Sequence, residues 1–232
     1  MLHEFTHAFE GREMQRDGDV FILDLGADEN RFHPDRLSTL NTALDEIEAF
    51  EGPKALVTSA TGKFWSNGLD LDWVGANPDR LQSYVVDVQA LLARVLTLPV
   101  PTVAAIQGHC FAAGAMLALA HDFRVMRADR GFFCLPEVDI QIPFTVGMSA
   151  LIQGRLDKQT AHEVMTTGRR YGGTDAVAAR IVDAVADEGK VLAAAVELAR
   201  PLAGKPAATL GTIKRRMYVD VVTALSDPAA TL

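Results

Sequence analysis

The chain has 232 residues, 49% of them hydrophobic, and its 30 acidic side chains outweigh 22 Lys and Arg to give a net charge of −8. This length and apolar content suffice for a substantial single core; length alone allows one or two domains, and we expect one with a helical C-terminal extension. The acidic balance argues against a general nucleic-acid surface, because neutralising phosphates needs a basic field.

Only two cysteines occur, Cys110 and Cys134, both among apolar neighbours; they read as reduced core residues rather than a disulfide framework. The N-terminal stretch MLHEFTHAFEGREMQRDGD lacks the apolar segment of a signal peptide and the Arg- and Ser-rich pattern of a transit peptide. No apolar run approaches the ~18 residues of a membrane span, and the terminal DPAATL is not a peroxisomal tripeptide. The expectation is a cytoplasmic protein without membrane insertion.

In chain order, Phe9–Arg16 and Val20–Leu25 flank Asp17-Gly18, a dipeptide suited to a tight hairpin, and predict two antiparallel strands. Pro34–Phe50 places Leu37, Leu40, Leu44 and Ile47 at helical spacing behind a proline fit for a first turn. Lys54–Ser59 predicts a strand, and the loop Ala60–Asn67 follows at its C-terminal end, where α/β proteins usually bind ligands. Asn77–Leu98 carries a broad helical stripe from Leu81 to Val95 and stops before Pro99. Thr102–Ile106 predicts the next strand. The helix that follows is apolar on all sides at Ala113–Ala120, which predicts burial rather than a surface position. Short strands are expected at Phe123–Met126 and Gly131–Leu135. Beyond Pro143 the pattern is helical at 146–156, 157–167, 174–179, 187–202 and 206–225, with a short strand at Ile181–Val185. Pattern alone permits a doubly wound sheet as well as stacked turns of a spiral.

Two stretches carry chemistry. PTVAAIQGHCFAAGAMLALAHDFRVMRADRGFFCLPEVDIQIPF, from Pro101 to Phe144, joins a strand, a turn at Gln107-Gly108, a small-residue helix start at Ala112-Ala113-Gly114, and Glu137 among apolar neighbours. Small residues at a helix start leave backbone N–H groups uncovered, ready for an oxygen that gains negative charge. The second stretch is GKFWSNGLDL, Gly62 to Leu71. Together they resemble the crotonase family of enoyl-CoA hydratases and isomerases, and most closely its Δ3,Δ2-enoyl-CoA isomerase branch. The resemblance implies an α/β fold: a ββα spiral core over residues 1–145 and a mainly helical C-terminal part over 146–232. It implies an acyl-CoA substrate, no cofactor beyond the CoA of that substrate, no metal, and a homo-oligomer of one or two trimers.

On this resemblance the thioester oxygen is held by the backbone N–H groups of Asn67 and Ala113, and the active-site glutamate is Glu137 in LPEVDI. Hydratases of the family carry a second glutamate where this chain has Met116, and dienoyl isomerases a second carboxylate where it has Thr145. A thioether cannot move a proton, so one carboxylate is expected to work alone. The expected reaction shifts a 3-enoyl-CoA double bond to the 2-position. The alternatives are hydration or another enolate reaction of an acyl-CoA, and a non-catalytic acyl-CoA-binding protein. Ser66, Gly68 and Gly114 belong to the matching turns; Trp65, Leu69, Met116, Phe111, Phe144 and Trp73 are candidates for the acyl channel. Lys63, Arg31 and the run Lys214-Arg215-Arg216 are candidates for the CoA phosphates. Each has a plainer reading, since apolar residues are core before they are pocket and charge runs are mostly solvated faces. Asp70, Asp122 and Asp139 are expected to cap local structure, and His109 and His121 to be hydrogen-bonded structural groups. Neither metal-ligand spacing nor a glycine loop for NAD is present.

Overall fold

The computed structural model describes residues 7–9 and 12–229; residues 10 and 11 of the first predicted strand and the stretches 1–6 and 230–232 lie outside it. The hairpin forms as expected, with β2 (Arg12–Asp17) and β3 (Val20–Asp24) antiparallel and β1 (His7–Phe9) paired outside β2. From β3 the main sheet runs parallel through β4 (Ala55–Ser59), β6 (Thr102–Ile106), β8 (Phe123–Arg127) and β10 (Ala184–Ala186). A second parallel sheet consists of three short strands, β5 (Phe64–Ser66), β7 (His109–Phe111) and β9 (Phe133–Cys134).

The two sheets are built together. After β4, β6 and β8 in turn the chain enters a strand of the small sheet, then returns through helix. These are the turns of the spiral. The helices are α1 (Pro34–Ala49), α2 (Leu71–Ala76), α3 (Leu81–Thr97), α4 (Ala113–Ala120), α5 (Glu137–Ile140), α6 (Val146–Arg155), α7 (Lys158–Thr167), α8 (Gly173–Ala178), α9 (Val191–Ala199), α10 (Ala207–Met217) and α11 (Val219–Leu225). Short 3₁₀ turns precede α3 and follow α9. The helix predicted over 206–225 is therefore two, and the strand at the end of the sheet lies slightly later than its pattern suggested.

Strand alternation divides the core. Val20, Ala55, Val57, Val103, Ala105 and Val125 face one side of the main sheet and pack on Val191, Ala195, Val196 and Ala199 of α9. Their neighbours Phe21, Leu23, Leu56, Ala104 and Ile106 face the other side, where the larger cluster also takes in α1, α3 and α4 and reaches Leu225. Every residue of α4 is buried, as its uniform apolarity predicts. Lys214 on α10 is buried too: its Nζ donates to the Val100 carbonyl at 2.9 Å and to Asp122 Oδ2 at 2.6 Å, which ties the C-terminal helices to the core. That use rules Lys214 out as a ligand for CoA phosphates.

Glycines set the spacing where one spiral turn stacks on the next. A Cβ on Gly108 would collide with the Lys63 carbonyl, and one on Gly131 would lie 2.7 Å from the Gly108 carbonyl. Both contacts are with backbone, which cannot rotate away. Gly108→Ala should therefore lower unfolding stability by at least about 2 kcal/mol in urea titrations; an unchanged midpoint would mean that the stacking is looser than this.

Candidate functional site

Glu137 is the first residue of α5, a single turn closed by Gln141 in the left-handed region at φ 59°. The strand before it is fixed from outside: Phe133 and Tyr171 exchange backbone hydrogen bonds at 2.9 Å in both directions, and Cys134 Sγ donates to the Gly168 carbonyl at 3.2 Å. Glu137 is 6% exposed and lines a pocket of about 330 Å³ with Leu69, Leu71, Phe111, Met116, Ile140, Ile142 and Met148 among its walls. Its Oε2 has no hydrogen-bond partner. Burial pushes the carboxyl up to about 7 from its ordinary 4.5, and its own backbone amide opposes only part of that shift. Sequence neighbours are not the whole cause, since Val138 and Ile140 are about half exposed; residues from other turns of the spiral supply the rest.

Two main-chain segments meet in the same pocket. Gly68, at φ 79°, lies so close to the start of α4 that a Cβ there would be 2.8 Å from the Ala113 nitrogen. Gly114 is equally constrained, since a Cβ would sit 2.6 Å from the Ser66 carbonyl oxygen. Ala112 holds φ 51° and ψ −128°, a conformation that a residue with a Cβ rarely adopts, at the position that aims the first N–H groups of α4. Ala113 lines the pocket, with its N–H donating to no group among the described residues.

Asn67 does not fill the role expected of it. It lines the pocket, but its backbone N–H donates to the Glu29 carbonyl at 2.8 Å and its Nδ2 to Glu29 Oε2 at 3.1 Å. The next amide, of Gly68, donates to Ser66 Oγ at 3.2 Å. The Leu69 N–H on this loop donates to no group among the described residues, and Leu69 also lines the pocket. A main-chain hydrogen bond to a loop some 38 positions away leaves no mark in a local motif, so the sequence could not show that the Asn67 amide is taken.

Of the other expected residues, Met116 lines the pocket and Arg31 stands at its rim, bonded to Glu29 at 2.6 Å and to Asp72 at 2.5 Å. Trp65 and Ser66 do not line it. Trp65 is fully buried with its indole N–H on the Thr58 carbonyl at 3.2 Å, and the Ser66 hydroxyl donates to the Asn30 carbonyl at 2.8 Å. Phe144 packs against the main core, and Trp73 lies against the rings of Tyr84 and His33. The Lys63 ammonium sits 5.3 Å from the Phe64 ring, outside the pocket lining. The structure adds Leu71, Asp72, Pro143 and Met148 to the lining; helix α2, which brings the first two, is too short to show a period.

The remaining polar groups are structural. Asp70 caps α2 through the Trp73 N–H at 3.1 Å, and Asp122 accepts from the Thr102 N–H at 2.9 Å. Asp139 lies against Gly168 at the end of α7. Thr145 caps α6 and donates to Gln89 Oε1 at 2.5 Å. His121 is bonded through both ring nitrogens, to the Leu117 carbonyl at 2.8 Å and Thr58 Oγ1 at 2.9 Å, and burial lowers it to about 4, so it stays neutral. His109 is not the hydrogen-bonded group expected: its buried Nδ1 has no partner among the described residues, and the ring sits instead among those of Phe64, Phe111 and Phe132, with burial and the nearby cations Lys63, Arg170 and Arg130 holding its pKa down. Among the described residues, no group of three or more His, Cys, Asp or Glu is arranged to hold a metal, and no helix is long and apolar enough to cross a membrane.

Comparisons with known proteins show the family. Residues 20–229 match the enoyl-CoA hydratase/isomerase family. Enoyl-CoA delta isomerase 3 of Arabidopsis thaliana is 36% identical over 219 residues, covering 90% of this chain and 92% of that protein. A putative enoyl-CoA hydratase of Thermus thermophilus is 33% identical over 195 residues, covering 80% of this chain and 75% of that protein. The crystal structure of human mitochondrial delta3-delta2-enoyl-CoA isomerase superposes with a TM-score of 0.83 at 23% identity, over 89% of this chain and 82% of that one.

Two stability effects follow from the site. The raised pKa of Glu137 means that between pH 4.5 and about 7 the folded state binds more protons than the unfolded state, so stability falls as pH rises through that window. Glu137→Gln should therefore be more stable than the native chain at pH 8, by up to about 3 kcal/mol, with the difference closing toward pH 4.5; denaturant titrations at the two pH values check this. Ala112→Gly should relieve the strained turn and raise the thermal midpoint, by the equivalent of about 1 kcal/mol.

Proposed function

The chain belongs to the enoyl-CoA hydratase/isomerase family, and from that premise we propose that it moves the double bond of a 3-enoyl-CoA to the 2-position with Glu137 as its one acid–base group. The observation that carries this reading is the one buried carboxylate with an unpartnered oxygen among the described residues, on the same pocket lining as Leu69 and Ala113, whose backbone amides are unbonded there. Glu137 takes a proton from C2 of the substrate. The electron pair delocalises over the C3–C4 double bond and the thioester carbonyl, giving a dienolate. The protonated carboxyl then returns the proton to C4, leaving the double bond between C2 and C3.

The C2 proton is weakly acidic, so the reaction depends on stabilising the thioester oxygen as charge reaches it. The N–H groups of Leu69 and Ala113 are our candidates for that task, in place of the Asn67–Ala113 pair. Fixed donors need no reorganisation, and losing one typically costs about 2.7–4 kcal/mol of transition-state stabilisation. A carboxyl poised near neutrality is suited to accept a proton and give it back, since too strong an acid would not take it and too weak an acid would not release it.

Hydration calls for a second acid across the pocket. Met116 stands at that position, and the other carboxylate on the lining, Asp72, is 89% exposed and bonded to Arg31 at the rim. This favours isomerisation. Arg31, with Arg215 and Arg216 on α10, would meet the phosphates of CoA, which enters as part of the substrate; no separate cofactor is required. A cytoplasmic location and a homo-oligomer of one or two trimers belong to the same proposal.

Glu137→Gln should lower kcat for a 3-enoyl-CoA about 10³-fold or more while binding of the CoA ester persists. In the native chain kcat/KM should fall about tenfold per pH unit below pH 7, because only the ionised carboxylate accepts the proton. Product analysis by chromatography and ester binding by calorimetry measure the two effects. Retained turnover in Glu137→Gln would remove Glu137 from the mechanism.

A further inference from the structure

We propose that Glu29 is a positioning residue for the oxyanion site, holding Asn67 through both its backbone and its side chain so that the Leu69 N–H, two residues on, stays aimed beside that of Ala113; this rests on the role given above to those amides. The loop around Glu29 acts as a template for the loop 66–69. Asn67 N–H donates to the Glu29 carbonyl at 2.8 Å, the Ser66 hydroxyl to the Asn30 carbonyl at 2.8 Å, and Phe32 N–H to the Gly68 carbonyl at 2.8 Å. These bonds fix the height of the loop. The Glu29 carboxylate adds a lateral hold, accepting from Asn67 Nδ2 at 3.1 Å and from Arg31 Nε at 2.6 Å. Arg31 then reaches Asp72 on α2 at 2.5 Å, so one chain of contacts links the amide-bearing loop to the helix at the rim of the pocket.

The carboxylate of Glu29 is 44% exposed, and its pairing with Arg31 at 32% exposure is of a kind that adds little to folding. Its hydrogen bonds to Asn67 and Arg31 nevertheless keep it ionised, lowering its pKa below the ordinary 4.5. An interaction that does little for the fold but fixes the loop presenting a reactive amide acts where small displacements are costly to rate. Glu29 touches neither substrate nor reacting atoms in this scheme; it works through Asn67.

The test compares the native chain with Glu29→Ala and Glu29→Gln, using 3-hexenoyl-CoA for turnover and acetoacetyl-CoA as a probe whose bound enolate absorbs in the near ultraviolet. Glu29→Ala should lower kcat about tenfold with KM changed less than about threefold, weaken the enolate band, and leave the pH midpoint set by Glu137 in place. Its thermal midpoint should stay within about 2 °C. Glu29→Gln, which keeps an acceptor for Asn67, should recover to within about threefold of native kcat. Native kcat and enolate band in Glu29→Ala would overturn the proposal, as would a loss that tracks a fall in thermal midpoint and is equally deep in Glu29→Gln. Should the native chain fail to isomerise 3-hexenoyl-CoA, the isomerase reading falls, and the enolate band still decides the role of Glu29: a weaker band in Glu29→Ala supports it, and an equal band, or none in either protein, overturns it.

Discussion

A carboxyl group with one oxygen unpaired and almost no contact with water is an expense that a folded protein normally avoids. Glu137 is such a group, and much of the surrounding structure serves to keep it so. The strap around Gly168–Tyr171 locks the strand that delivers it, the turn at Gln141 ends its helix after four residues, and Met116 and Met148 wall it with side chains that offer no proton. Its pKa near 7 is the direct result of this isolation. A partner would stabilise the carboxylate and bring its pKa back down.

The spiral supplies the other half of the site. Because β5, β7 and β9 follow corners of successive turns, loops distant in sequence come side by side, and the fit between Gly68 and Ala113 is set by backbone contact rather than by side chains. The strained turn at Ala112 belongs to the same requirement, since the helix must begin with its first N–H groups facing the pocket. Acid and amides thus come from different turns, and stacking of the turns holds them together.

The long elements were legible because their burial repeats with the period of helix or strand: Leu37, Leu40, Leu44 and Ile47 on α1, and the all-apolar α4. Of the small sheet, β9 falls inside the strand expected at Gly131–Leu135, but β5 and β7 were not legible, because a run of three residues cannot display alternation. The apolar setting of Glu137 could be read from its neighbours in sequence. Its helical position could not, since Glu-Val-Asp-Ile suits a strand end equally well. Errors gathered where long-range hydrogen bonds decide the outcome: Asn67 gives its amide to Glu29, Trp65 turns its indole inward to Thr58, and Lys214 is spent on Asp122. Composition carries no trace of such pairings.

If isolation alone keeps the Glu137 carboxyl near neutrality, infrared difference spectroscopy of native chain against Glu137→Gln across a pH titration reads it directly. A neutral-acid carbonyl band that belongs to Glu137 is expected at pH 6, giving way to a carboxylate with a midpoint near 7. A carboxylate already fully ionised at pH 6, titrating near its ordinary 4.5, would contradict it.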